Sequence, residues 1–186
     1  MGNSALVTWI DPMDNVKSLD RNAQMDTSSH EQFVQYYAAE SLSAATRQRF
    51  ESIRAKAISL LRRTGNTRQP LAMLDIGCGA GTQCALWAAG GDRAYGIDIN
   101  APLIELARER ALAAKLDIRF DVGSATALPY DAGTIDVCLI PELLEHVPQW
   151  EPCLTEAVRV LRPGGVLFLS TTNAFCPTHH EYRLPL

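Results

Sequence analysis

No Cys-x-x-Cys pair occurs, and the five cysteines, Cys78, Cys84, Cys138, Cys153 and Cys176, are odd in number. That excludes a closed disulfide framework and a structural zinc site of ordinary spacing, and it fits a reducing cytoplasm. No run approaches the roughly 18 consecutive apolar residues of a membrane-spanning helix. The opening Met1-Gly2-Asn3-Ser4-Ala5-Leu6 lacks the basic start of a signal peptide. Leu6 also stands where N-myristoylation needs Ser or Thr. Positive charge is short as well. The formal net charge is -4, so the globally basic surface that favours nucleic acid is missing. A local basic patch at Arg62, Arg63 and Arg68 is the exception. What is present is ordinary for a water-facing globular protein: 47% apolar and 20% charged residues over 186 positions, enough for one α/β core. These properties say nothing of oligomeric state.

Along the chain, residues 1–27 read as a loose polar arm. Residues 28–66 read as a helical cap. Ser28-Ser29-His30-Glu31 fits a capping box opening a first helix with Phe33, Tyr36 and Tyr37. A second helix is expected over 45–63, with Phe50, Ile53, Ala57 and Leu60 on one face and Gly65-Asn66 at its end. Residues 67–173 alternate short apolar runs with helical periods. Strands are expected at 71–76, 94–99, 118–122, 135–140 and 166–170. Helices are expected at 81–89, at 101–115 behind an Asn100 N-cap, and at 150–161 with Leu154, Val158 and Leu161 on one face. The alternation implies an α/β fold, a doubly wound and mostly parallel sheet with helices on both faces. Residues 174–186 form a separate C-terminal segment.

Asp75-Ile76-Gly77-Cys78-Gly79-Ala80-Gly81 joins the first strand to its helix. Glycines let backbone come close to a ligand, and a crevice at the carboxyl edge of such a sheet is where nucleotides bind. The dinucleotide fingerprint is G-x-G-x-x-G. Here Gly77, Gly79 and Gly81 give G-x-G-x-G, with an acid two positions before the first glycine. That spacing disfavours a nicotinamide dehydrogenase. Asp98 ends Tyr95-Gly96-Ile97-Asp98, about 20 residues after Gly77, where a carboxylate can accept from ribose hydroxyls.

With these residues the chain resembles the class I S-adenosylmethionine-dependent methyltransferases, and 75–81 looks like their first motif. Leu128-Pro129-Tyr130, Ile135-Asp136-Val137 and Leu161-Arg162-Pro163-Gly164-Gly165 match further landmarks in order. The resemblance covers about 33–173. It implies a strand order of 3-2-1-4-5 and S-adenosylmethionine as cofactor. Asp75, Gly77, Cys78, Gly79, Gly81, Asp98, Ile99 and Pro141 are the expected cofactor contacts, with Ile99 on the adenine face. The family often carries an acid after the glycine of the third strand. Here Gly123 is followed by Ser124, so the Ser124 hydroxyl and the Ala125 backbone are the candidates for the adenine amino group. Asp121 is not substituted, because two-residue alternation turns it to the face of Gly123.

Pro141-Glu142-Leu143-Leu144-Glu145-His146 follows the fourth strand. On a helix, Glu142, Glu145 and His146 would share a face. Two carboxylates and an imidazole could hold Mg2+ or another divalent cation. Equally, the acids could favour a helix N-terminus and His146 could pack or act as general base. The E-x-x-E-H spacing resembles the ubiquinone-pathway O-methyltransferases and the small-RNA terminal 2′-O-methyltransferases. The arm and cap resemble the former, which implies Arg49 as partner of the methionine carboxylate. His146 and Glu142 are the candidate catalytic residues.

Tyr36 and Tyr37 are candidates for a lid over the cofactor or for ordinary packing. Trp87 and Trp150 are expected in core or interface, and Cys138 as a small buried apolar residue. Thr178-His179-His180-Glu181 could add a ligand or stay solvated. The family continues past the fifth strand with a helix and an antiparallel hairpin, so a missing hairpin and a truncated C-terminal end are expected. The first reading is methyl transfer to a small-molecule acceptor, at a hydroxyl oxygen. RNA 2′-O-methylation and non-catalytic S-adenosylmethionine binding are the alternatives.

Overall fold

A computed structural model describes residues 31–171. The arm, the first three residues of the capping box, Cys176 and the 178–181 histidine segment lie outside them. Two helices come first, α1 (Glu31–Glu40) and α2 (Ala44–Arg63). Then follow β1 (Ala72–Ile76), α3 (Thr82–Ala89), β2 (Arg93–Asp98), α4 (Ala101–Ala113), β3 (Ile118–Val122), β4 (Ile135–Pro141), α5 (Trp150–Val160) and β5 (Leu161–Ser170). The five strands form one parallel sheet in the order β3-β2-β1-β4-β5, as expected. No described helix is long and apolar enough to cross a membrane.

β1 is the centre of the sheet, and every one of its residues is buried. Two-residue alternation sends its side chains into two separate cores. Met73 joins Trp87, Ile104, Phe120 and Leu139 under α2, α3 and α4. Leu74 and Ile76 join Ile97, Ile140, Cys153 and Val160 under α5. A central parallel strand covered on both faces must read as a nearly unbroken apolar run. Only Asp75 interrupts it.

Local signals account for the helix ends. Ser43 Oγ accepts from the Thr46 N–H at 3.1 Å, so α2 starts one residue earlier than expected. Gly65 sits at φ 80 and its N–H donates to the Arg62 carbonyl, which ends the helix. Asn100 Oδ1 accepts from the Leu103 N–H at 3.1 Å, the anticipated N-cap of α4. Arg110 on α4 reaches back to α1 and its exit. Its Nη2 donates to the Ala38 carbonyl at 2.9 Å and its Nη1 to Ser41 Oγ at 3.1 Å.

Two helix faces differ from expectation. In α2 the buried row is Ile53, Ala57 and Leu61, while Leu60 is 44% exposed. The helix lies on the sheet along its i, i+4 ridge, and Leu60 falls beside that ridge. In α5 the buried row is Cys153, Ala157 and Val160, and Val158 is 62% exposed. Small Cys153 and Ala157 let α5 approach the sheet closely, and the larger side chains flank the contact. β5 also begins at Leu161, through an irregularity opposite Ile135 and Val137, rather than after Gly165.

Candidate active site

The carboxyl ends of β1, β2, β3 and β4 open on one edge of the sheet, and the candidate residues gather there. The turn from β1 to α3 is made by glycines in the left-handed region, at φ 78, 50 and 75 for Gly77, Gly79 and Gly81. At Gly81 a Cβ would stand 2.7 Å from Phe120 Cζ and 2.9 Å from Ala107 Cβ, so no side chain fits. The Gly77 and Cys78 N–H groups donate to the Ile97 carbonyl at 2.8 and 3.1 Å. The Gly79 N–H donates to Asp98 Oδ2 at 2.8 Å, and the Asn100 N–H to Asp98 Oδ1 at 2.8 Å. Asp98 thus braces the loop while each oxygen keeps a further lone pair for a ligand.

Asp75 forms the floor. It is 2% exposed, its Oδ1 has no hydrogen-bond partner, and its Oδ2 meets only the Cys84 thiol at 4.0 Å. Burial, and then the charge of Asp98, push its pKa up to about 7. A buried carboxylate oxygen without a partner is costly and calls for a donor. In the first turn of α3, Thr82 Oγ1 and both polar atoms of Gln83 are also buried without partners. The Cys78 thiol is held well above its usual range, first by its hydrogen bond with Cys84 and then by burial. Cys138 is fully buried, as anticipated, and burial raises its thiol too.

The cap supplies the opposite wall. A Cβ on Gly79 would lie 2.6 Å from Tyr37 Cε1, so the Tyr37 ring rests directly on the glycine loop. The ring is 40% exposed, yet its hydroxyl is desolvated. Burial, then the charges of Asp75 and Asp98, push that hydroxyl up to about 12, against the opposing pull of Arg49. Arg49 Nη1 forms an ion pair with Glu142 Oε1, joining α2 to the residue after β4.

The expected helix across Glu142, Glu145 and His146 is not formed. Glu142 stands at φ 51, in the left-handed region, and its N–H donates to the Ser170 carbonyl at 2.9 Å. A short 3-10 turn, Leu144–His146, follows. Pairing of Pro141 with Ser170 extends the strand, and the left-handed residue then redirects the chain before a helical face can build. Glu142 faces Arg49, while Glu145 Oε2 accepts from Thr171 Oγ1 at 3.1 Å. His146 is exposed. Among the described residues no three His, Cys, Asp or Glu side chains form a group able to hold a metal ion. Glu142, Glu145 and His146 are thus not brought together as such a group.

At the other end of the crevice Ile99 is 77% exposed, a large apolar side chain left uncovered beside Asp98. Ser124 Oγ accepts from the Thr126 N–H at 3.2 Å and shares a hydrogen with Thr126 Oγ1 at 2.8 Å. Asp121 is engaged by the Tyr130 hydroxyl and by Arg119, each at 2.9 Å, which agrees with setting it aside. Trp87 is in the core and Trp150 is 48% exposed. The unpartnered Thr82 and Gln83 were not among the sequence candidates. Their position in the first turn after the glycine loop was the available signal.

Residues 74–169 match a family model described as a methyltransferase domain, over more than half of the chain. The chain belongs to the class I S-adenosylmethionine-dependent methyltransferases. The ubiquinone biosynthesis O-methyltransferase of Coxiella burnetii (strain Dugway 5J108-111) is 35% identical over 101 residues, 54% of this chain and 43% of that protein. Its counterpart in Brucella ovis is 34% identical over 128 residues, 67% of this chain and 52% of that protein. The chain therefore spans about half the length of these curated relatives. Among solved structures, the PH0226 protein from Pyrococcus horikoshii OT3 superposes with a TM-score of 0.62 at 26% identity, over 75% of this chain and 62% of that one. This methyltransferase thus has a 3-2-1-4-5 sheet with a glycine loop after β1 and an acid at the end of β2.

Proposed function

We propose that this methyltransferase transfers a methyl group from S-adenosylmethionine to a hydroxyl oxygen of a small-molecule acceptor. The observation that carries the donor assignment is Asp75, a buried carboxylate with an unpartnered oxygen under the glycine loop. An ammonium group is the complement that site lacks, and the amino-acid end of the donor has one. Asp98 accepts from the ribose hydroxyls. Ile99 covers an adenine face, and the Ser124 hydroxyl and the Ala125 backbone meet its amino group. Arg49 takes the α-carboxylate. The backbone of Gly77, Cys78, Gly79 and Gly81 lies along the donor, with Pro141 at the methyl end.

When bound, the donor supplies an electrophilic sulfonium methyl group. The protein then has to orient an acceptor oxygen about 3 Å from that methyl and exclude water, which is worth several kcal/mol. His146 takes the hydroxyl proton and Glu142 holds the acceptor or the imidazole in place. The oxygen as acceptor atom is supported by the relatives' description as O-methyltransferases. The RNA reading rested on the metal set, which the described residues do not assemble. We place the protein in the cytoplasm, in keeping with free Cys78 and Cys84 lying within hydrogen-bond reach of each other.

The test is radiolabelled methyl transfer to catechols, other phenols, small amines and RNA 3′ ends, each with and without EDTA. Labelled phenol in the presence of EDTA is the expected result. Label confined to amines or RNA ends would overturn the acceptor assignment.

A further inference from the structure

Arg49 is the cap residue that grips a carboxylate at the rim of the crevice, and the carboxylate it grips belongs to Glu142. The charge of Arg49 pulls the pKa of the Tyr37 hydroxyl down, and the Tyr37 ring rests on Gly79. The guanidinium is therefore near the Tyr37 hydroxyl, on the cap side of the glycine loop. A donor seated with its ammonium at Asp75 carries its own α-carboxylate toward the same guanidinium. Two carboxylates then compete for one fork.

We propose that this is an exchange: the donor's α-carboxylate displaces Glu142 from Arg49, and Glu142 is the internal stand-in that holds Arg49 in place beforehand. The proposal rests on the donor assignment made above. The pair is built to be exchanged. Its side chains are 33% and 44% exposed, so neither loses much hydration by separating or meeting. The Glu142 backbone is pinned by its N–H bond to Ser170, so release requires only side-chain rotation. A carboxylate on a left-handed residue directly after Pro141 stays at the end of β4 after release, on the proposed acceptor side.

The test compares two ligands in calorimetric titrations of the full chain. S-adenosylhomocysteine carries the α-carboxylate, and 5′-methylthioadenosine lacks the whole amino-acid tail. With Glu142→Gln the competitor's charge is gone. S-adenosylhomocysteine should bind about two- to five-fold tighter than to wild type, the range of a partly exposed ion pair, and 5′-methylthioadenosine should be unchanged. Glu142→Asp, drawn back by one methylene, should shift the same way. In an Arg49→Met background Glu142→Gln should have no effect on either ligand. Weaker or unchanged S-adenosylhomocysteine binding by Glu142→Gln, or equal tightening of both ligands, overturns the exchange while leaving the donor assignment standing. Failure of wild type to bind either ligand overturns both.

Discussion

Replacing Asp75 by asparagine should make the protein more stable near neutral pH and worse at holding its donor. The side chain is 2% exposed and its pKa is raised from 3.8 to about 7 by burial, with a further push from Asp98. A group raised in the fold favours folding in its protonated form. Its contribution is complete below pH 3.8 and is lost as pH rises toward 7. Each unit of pH inside that window is worth ~1.4 kcal/mol for one proton, less near its upper end. Between pH 5 and pH 7 Asp75 should therefore cost wild type about 2 kcal/mol that an amide does not. Urea denaturation at both pH values, without added ligand, measures this directly. Other titrating groups are shared by the two proteins and cancel in the difference. The stability gap between Asp75→Asn and wild type should widen in favour of the variant by about 2 kcal/mol on going from pH 5 to pH 7. A gap that is the same at both pH values would refute the reasoning. The companion loss is in binding. On the proposed donor assignment an amide at this position gives up a charge-assisted bond to the ammonium, so S-adenosylhomocysteine affinity should fall about 10-fold or more.

Leu61→Ala should destabilise by about 2 to 5 kcal/mol, because Leu61 is 2% exposed in the core under α2. Leu60→Ala, next to it and 44% exposed, should stay within about 0.5 kcal/mol in the same denaturation assay. Gly81→Ala combines a left-handed φ of 75 with a Cβ 2.7 Å from Phe120, and chemical denaturation should show a loss of about 2 to 4 kcal/mol.

Much of this architecture is legible in the residues because the buried parallel strands leave a local trace. β3 runs over the expected 118–122, and β1, β2 and β4 differ from expectation only at their ends. The glycine loop and Asp98 are legible for the same reason, since a strand-to-helix turn is a local event. The turn at Glu142 is not. E-x-x-E-H has helical spacing, and local pattern alone favours a helix. What decides the conformation is the pairing of Pro141 with Ser170, about thirty residues away. On α2 Ile53 and Ala57 are buried as expected and only Leu60 gives way to Leu61, while the α5 row moves by one position, because periodicity gives the stripe and the sheet chooses its centre. The unpartnered oxygen of Asp75 is invisible in a sequence, because it depends on which donors fail to arrive.

Arg49 and Glu142 are 93 positions apart, and they meet only once α2 lies on a core that includes Val137 of β4 and Val166 of β5. On a ribosome, α2 leaves the exit tunnel long before either strand exists. It then waits as an amphipathic helix without the surface it is shaped for. Closure of so long a loop is slow compared with forming the β1–α3–β2 unit, whose parts are sequence neighbours. The wall proposed for the donor should therefore be among the last pieces of the molecule to assemble. A nucleoside ligand that requires both walls would bind the finished fold and none of its precursors, and would pull late intermediates toward it by mass action.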